Sequence, residues 1–190
     1  MSDESKCPVS PEARQAWLDA NANATATATT TTTTLDAHRE ISSIPRTDSH
    51  SNWIYPSEKQ FYDAMVRKNW NPSPHDMQTV VPIHNSVNER VWNYIRRWEA
   101  PTNQSLTLST FKGNSKKLTP RAWMRYHLMG LSKPFDRHDW TIDNHGVQYD
   151  YVIDFYAEQE GVVLDVRPKL NSWHGWALRL ARAMGFGRAE

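Results

Sequence analysis

Read for hydrophobic and polar positions, the chain divides into a front part without periodicity and a patterned remainder. Residues 21–34, NANATATATTTTTT, offer nothing apolar to bury, and such a low-complexity run predicts a flexible linker. Ahead of it, Pro11–Leu18 has room for one helical turn. Helical spacing begins with YPSEKQFYDAMVRKNWNP: Ser57 and Gln60 stand at capping-box separation, Phe61, Ala64 and Met65 mark one face, and Asn71-Pro72 supplies a stop. SPHDMQTVV reads as a short second helix with Ser73 as cap, Pro74 in its first turn and Pro82 as its end. A third helix follows at once, because Ser86 and Glu89 repeat the S-x-x-E spacing and Val87, Val91, Ile95 and Trp98 form a stripe. TPRAWMRYHLMG is a fourth, capped by Thr119, with Pro120 in its first turn and Gly130 at its end.

The period then shortens. YDYVIDFY (149–156) and VVLDVRP (162–168) are β-rich runs, and the AEQEG between them predicts a hairpin with a connection longer than a tight two-residue turn. SWHGWALRLARAMG closes the pattern as an amphipathic helix with Trp173, Trp176, Leu180 and Met184 roughly in line. That stripe suits either the domain core or a lipid surface. The elements together predict an α+β fold, several short helices packed on a small antiparallel sheet. A flexible, disordered N-terminal region over 1–50 precedes a folded domain over 51–190. No internal repeat is visible.

Composition sharpens this in a few respects. Of 190 residues only 38% are hydrophobic, which agrees with part of the chain lying outside the core. Nine tryptophans run against that poverty; they fill a small core or line a site for a flat apolar ligand. A net charge of +1 removes any bulk attraction to nucleic acid, so none is expected as a partner. The charge is uneven: residues 1–50 hold four Lys/Arg and seven Asp/Glu, residues 167–190 five Lys/Arg and one Glu. A basic C-terminal end suits an anionic lipid surface or an acidic partner. The single cysteine, Cys7, excludes an internal disulfide and a cysteine-based zinc cage. No run approaches the ~18 apolar residues of a membrane span. The acidic MSDESKCPVSPEARQAW resembles neither a secretory signal nor an Arg-rich presequence, so any organelle address is expected to be internal.

His84 is the candidate for chemistry. With Ser86 as cap it stands two residues ahead of the third helix, where the macrodipole disfavours an imidazolium, and a neutral imidazole is the form that binds metal. Glu89, one turn in, completes the capping box or orients the site. The plainer reading is a satisfied cap histidine. The sharper one is an axial ligand to heme iron, since one histidine makes no zinc site but a porphyrin supplies the remaining donors.

Three longer strings bear on that choice. NWIYPSEKQFYDAM (52–65), IHNSVNERVW (83–92) and PFDRHDW (134–140), followed by YVIDFY and LDVRP, resemble holocytochrome c synthase, the mitochondrial cytochrome c heme lyase, over most of residues 52–170. The N-terminal CPV is similar to the family's Cys-Pro motifs. The resemblance implies an enzyme that takes heme b as substrate and joins it to apocytochrome c, or to apocytochrome c1 in a specialised relative. The two cysteines of the acceptor's C-x-x-C-H segment add across the heme vinyls to give thioethers. Such an enzyme acts mainly as a template, by positioning. By position, the resemblance implies His84 as axial iron ligand and Glu89 as the acidic residue that holds it, the two catalytic candidates. It implies Trp53 and Tyr55 in the heme pocket and Cys7 as a heme contact on the tail. For His138 it suggests contact with heme or substrate, against a plainer pairing with Asp136 or Asp139. It also implies a location in the mitochondrial intermembrane space, peripheral on the inner membrane.

The chain departs from that pattern in two places. PTNQSLTLSTFKGNSKKL lacks the cysteines some relatives carry, and after HDW the string reads TIDNHG where many have an arginine. Two other readings stand beside the enzyme: a heme carrier or sensor using His84 and Cys7, and an adaptor whose basic stretch FKGNSKKLTPRAWMR (111–125) docks an acidic partner.

Overall fold

The computed structural model describes residues 34–100, 105–158 and 161–185. Cys7, the turn expected at Pro11–Leu18 and nearly all of the low-complexity run lie outside them. The elements in order are β1 (Ile41–Pro45), β2 (Asn52–Ile54), α1 (Glu58–Val66), a 3-10 turn (Pro74–Asp76) leading into α2 (Met77–Trp98), β3 (Thr107–Gly113), α3 (Pro120–Met129), β4 (Asp136–Asn144), β5 (Val147–Glu158), β6 (Gly161–Pro168) and α4 (Trp173–Ala183). β1 and β2 pair with each other, β3-β4-β5-β6 form a four-stranded sheet in that order, and both sheets are antiparallel. The α+β architecture is the expected one.

One face of the larger sheet makes the core. Trp140 and Ile142 of β4, Tyr151, Ile153 and Phe155 of β5 and Val166 of β6 pack with Val87, Val91 and Ile95 of α2 and with Phe61 and Met65 of α1. Burying side chains of this size contributes about 1.5–3 kcal/mol each. The opposite face mixes buried Val152 and Tyr156 with charged residues and meets α3 through Thr119, Arg121 and Arg125. There Arg167 lies between Asp154 and Asp165, Thr119 donates to Asp154 at 2.9 Å, and Arg121 reaches Asp165 at 3.3 Å. Asp154 is fully enclosed, so this ionic group depends on each of its members being present.

Local signals explain the ends of several elements. Ser57 and Gln60 form the expected reciprocal capping box on α1. Thr119 accepts from Ala122 at 3.0 Å to cap α3, and Gly130 ends it in the left-handed conformation.

Elsewhere the structure corrects the expectation. The boundary near Ser51 falls inside the β1–β2 hairpin, and Ile44 of β1 belongs to the core. Pro82 does not separate two helices: α2 is continuous for 22 residues with Pro82 inside it. The proline is exposed, whereas Val80 and Val81 before it and His84, Asn85 and Val87 after it are buried. Packing on both sides carries the helix across a residue that costs about 3 kcal/mol in a helix interior. Ser86 is consequently an exposed mid-helix residue and not a cap.

β4 escaped the periodicity because polar side chains fill some of its inward positions. Its burial alternates perfectly, yet Asp136, His138 and Asn144 are among the buried residues. The turn after it left a clearer mark. His145 and Gly146 both have positive φ, 54° and 82°, the backbone of a tight two-residue hairpin turn, and Asp143 accepts from the Gly146 N–H at 2.9 Å. β5 and β6 also run closer together than expected, since Glu158 pairs with Gly161.

Continuity across Pro82 is testable. Pro82→Ala restores a backbone donor inside α2 and is expected to stabilise the fold by about 1 kcal/mol or more, read as a higher urea midpoint. A proline lying between two helices would give no such gain.

Candidate functional site

α2 carries the two central residues on different sides. His84 lies more than a full turn inside the helix and is buried; its ring stands edge-on to Phe61 of α1, centroids 5.3 Å apart, and its Nδ1 is 3.3 Å from the Asn88 amide. The expected position ahead of a helix is thus corrected, because Pro82 does not start a new one. The argument from the positive helix end does not apply at this depth.

Glu89 faces the β1–β2 hairpin. Its carboxylate accepts from Ser42 Oγ at 2.7 Å, the Ser43 N–H at 3.0 Å, Ser43 Oγ, and Tyr55 Oη at 2.9 Å. The Ser42 hydroxyl also lies 3.3 Å from Tyr55 Oη. One turn earlier Asn85 donates to Glu40 at 2.8 Å, and the Glu40 carbonyl accepts from the Tyr55 N–H at 2.9 Å. Glu89 therefore does not complete a capping box with Ser86; it clamps α2 to the strand and to Tyr55. Partial burial pulls its pKa upward, but the bonds from Ser43, Ser42 and Tyr55 outweigh this and hold the carboxyl below its usual range. Burial first, and then the nearby Glu89 charge, push the Tyr55 hydroxyl well above its ordinary value, so it stays a donor at neutral pH.

The remaining predicted residues are spread around this pair. Trp53 of β2 donates from Nε1 to the Leu108 carbonyl at 3.2 Å, meets Phe111 edge-on at 5.3 Å and lies under the Arg46 guanidinium at 4.7 Å, so it joins the hairpin to β3. His138 of β4 is buried beside Asp136, Nε2 to Oδ2 3.2 Å, and edge-on to Phe155 at 5.0 Å. The plainer of its two readings is therefore the geometry present. Asp139 is engaged elsewhere, with Asn114 and Arg137 at 2.9 Å each and Lys169 at 3.4 Å. Cys7 lies outside the described residues.

Sequence reasoning missed two groups. Ser42 and Ser43 fell before the presumed domain start. The second group is a buried carboxylate, Glu99, at the C-terminal end of α2. It accepts from Tyr151 Oη at 2.6 Å and Asn144 Nδ2 at 3.0 Å, and His174 Nε2 lies 2.9 Å away with its ring stacked on Tyr149 at 3.9 Å. Asn144 belongs to the TIDNHG string that lacks the arginine. Among the described residues no group of three or more His, Cys, Asp or Glu could hold a metal ion.

Comparison with known proteins gives the site a context. A family model described as "Cytochrome c/c1 heme lyase" matches residues 18–109 and 102–183. A putative holocytochrome-c1 synthase of Schizosaccharomyces pombe is 48% identical over 96% of this chain and 92% of its own length. The holocytochrome c-type synthase of Homo sapiens is 43% identical over 73% of this chain and 57% of its own length. A putative holocytochrome-c1 synthase of Chaetomium thermophilum is 44% identical over 80% of this chain, which spans 64% of that protein. No solved structure matches.

The Glu89 clamp carries a pH signature. A carboxyl whose pKa is depressed by folding contributes stability that is fully present above its unfolded pKa, about 4.3. That stability is lost as pH falls through the lowered folded value. In thermal melts across pH, Glu89→Gln is expected to unfold at lower temperature than the wild type near neutrality. The gap should close progressively below about pH 4. A gap that persists unchanged into acid would show that the charge of Glu89 does not bear the clamp.

Proposed function

The chain belongs to the cytochrome c/c1 heme lyase family, an enzyme family, and from that premise we propose that it joins heme covalently to an apocytochrome, with His84 as the axial ligand to the iron. The observation that carries the reading is the pairing on α2 of His84 with the Glu89 clamp, inside a string that matches the family. Heme is here the substrate, heme b, and its porphyrin supplies four donors, so one protein histidine suffices.

Each group has a role in this reading. The Asn88 amide nitrogen stands 3.3 Å from Nδ1 of His84; rotating that amide to present its oxygen would hold the proton on Nδ1 and leave the Nε2 lone pair for iron. His84 is buried with Phe61 edge-on to its ring, so heme entry requires neighbouring side chains to move aside. Glu89 is a positioning residue: through Ser42, Ser43 and Tyr55 it holds Trp53 and Tyr55 of the hairpin segment at a fixed distance from α2. His138, paired with Asp136, supports the sheet beneath the site. Cys7 is a further heme contact.

The reaction itself needs little from the protein beyond alignment. Each acceptor thiol adds across one vinyl group: sulfur bonds one carbon, hydrogen ends on the other, and no oxidant or reductant is consumed. Alignment of this kind is worth up to about 7–11 kcal/mol of barrier. The acceptor is apocytochrome c or c1. The high identity over nearly full length to a protein named for cytochrome c1 favours the latter. The reaction takes place in the mitochondrial intermembrane space, with the protein peripheral on the inner membrane.

Co-expression with each apocytochrome tests this. The wild type should yield cytochrome whose heme survives acid–organic extraction, and His84→Ala should lower that product more than about tenfold through loss of the axial bond. His84→Gly with added imidazole should recover part of the heme binding. Maturation by His84→Ala at the wild-type rate would remove His84 as ligand, and bound heme that never becomes covalent would favour the carrier reading.

A further inference from the structure

α4 is mounted the wrong way round for a surface helix in water. Its polar side faces the protein. His174 reaches Glu99, Arg179 Nε donates to the Pro168 carbonyl at 2.7 Å, and the Arg182 guanidinium lies 4.2 Å over the Trp98 ring. Gly175 is pressed so closely that a Cβ there would stand 2.0 Å from the Lys169 carbonyl oxygen. The apolar stripe points outward: Trp173 is 90% exposed, Leu180 and Met184 60% each, and Trp176 is also exposed. An ordinary amphipathic helix turns that stripe to the core.

The neighbouring helix repeats the arrangement. Ala122 is buried on α3, while Trp123, Met124, Leu128 (70%) and Met129 (61%) are exposed. The two helices meet at the same ionic group of β6. Arg121 of α3 bonds Asp165 at 3.3 Å, and Arg179 of α4 lies close enough to feel Arg121, Arg167 and Asp165.

Charge identifies what covers these faces. Residues 119–135 carry Arg121, Arg125 and Lys133, residues 169–185 carry Lys169, Arg179 and Arg182, and neither stretch has an Asp or Glu. A second copy would oppose like charges. Of these cations Arg121, Lys133 and Arg182 are exposed beside the tryptophan, leucine and methionine side chains, a combination that matches the headgroup region of an anionic bilayer, where indoles settle at the boundary and basic groups meet phosphate. None of the described helices is long and apolar enough to span a membrane, so contact is in the plane of the surface.

We propose that the outward faces of α4 and α3 form the surface by which this protein lies on an anionic lipid membrane. This rests on the peripheral location proposed above and gives it a surface; it is independent of heme attachment. Arg179 is engaged with Pro168, so the apolar stripe is the cleaner target for mutation.

The test is co-sedimentation of the full chain with phosphatidylcholine vesicles, with and without cardiolipin. Wild type is expected to bind the cardiolipin vesicles, to bind neutral ones weakly, and to release with salt. Trp173→Ser/Leu180→Ser should lower partitioning at least about tenfold, with unfolding temperature and heme binding unchanged, since both side chains are exposed. Trp123→Ser/Leu128→Ser should lower it further in combination. If wild type binds and the α4 variant binds equally, the surface is overturned and the peripheral location stands. If wild type ignores cardiolipin vesicles, both fall. Binding to neutral vesicles as strong as to anionic ones overturns the charge argument and with it the proposal. So does self-association that the α4 variant abolishes, or loss of apocytochrome binding with vesicle binding intact.

Discussion

The rest of the structure depends on the continuity of α2 across Pro82. A helix of 22 residues is about 33 Å long, a single rod through the domain. Three polar side chains along it each hold a different part of the molecule. His84 meets α1 through Phe61, Glu89 holds the β1–β2 hairpin and Tyr55, and Glu99 gathers the β4–β5 hairpin and α4. Were the helix broken at Pro82, the 3-10 turn and first turns would separate from the segment bearing these anchors. Because it is unbroken, any shift of α1 at Phe61 is felt along the same element that fixes the hairpin.

Those anchors differ in their electrostatics. Glu89 is partly exposed and its four hydrogen bonds outweigh the cost of its burial, so its charge is stable where it stands. Glu99 is a carboxylate enclosed at the negative end of a helix, where the macrodipole works against it. Tyr151 and Asn144 donate to it, and the His174 ring nitrogen lies 2.9 Å away. The departure at TIDNHG is thereby given a structural consequence. The residue that ends β4 is an amide facing a buried carboxylate, and α4 reaches the same carboxylate through His174.

How much was legible follows from where the apolar signal was clean. α1 and α3 were readable from their capping residues, and the stripe Val87, Val91, Ile95 from helical spacing alone, since its supposed cap Ser86 is a mid-helix residue. The identities of His84, Glu89, Trp53 and Tyr55 as one region came from the family resemblance, and Tyr55 and Glu89 are indeed bonded to each other. The position of His84 was misread because a proline was taken as a stop, a local rule that burial on both sides overrode. β1 and β4 were missed for a shared reason. Their inward positions include Ser42, Asp136, His138 and Asn144, whose partners are remote in sequence and leave no period-2 apolar trace. Only the asparagine-histidine-glycine turn after β4 was a usable signal.

The burial of His84 is the point at which packing and the proposed chemistry pull in different directions. A ligand inside a packed helix is well oriented, because its backbone cannot move and Asn88 restricts its ring. The same packing encloses it, with the ring buried and Phe61 edge-on to it at 5.3 Å. For a protein that keeps its heme this would be a poor compromise. For one that must receive heme and give it up with the product, a site closed by its own aromatic side chain has a use: the returning phenyl ring restores core contacts worth about 1.5–3 kcal/mol and so opposes retention of the cofactor. α1 is short and holds to the core through two buried residues, Phe61 and Met65, so few contacts have to yield for it to move. Glu89, on the other side of α2, keeps the hairpin in register while α1 gives way.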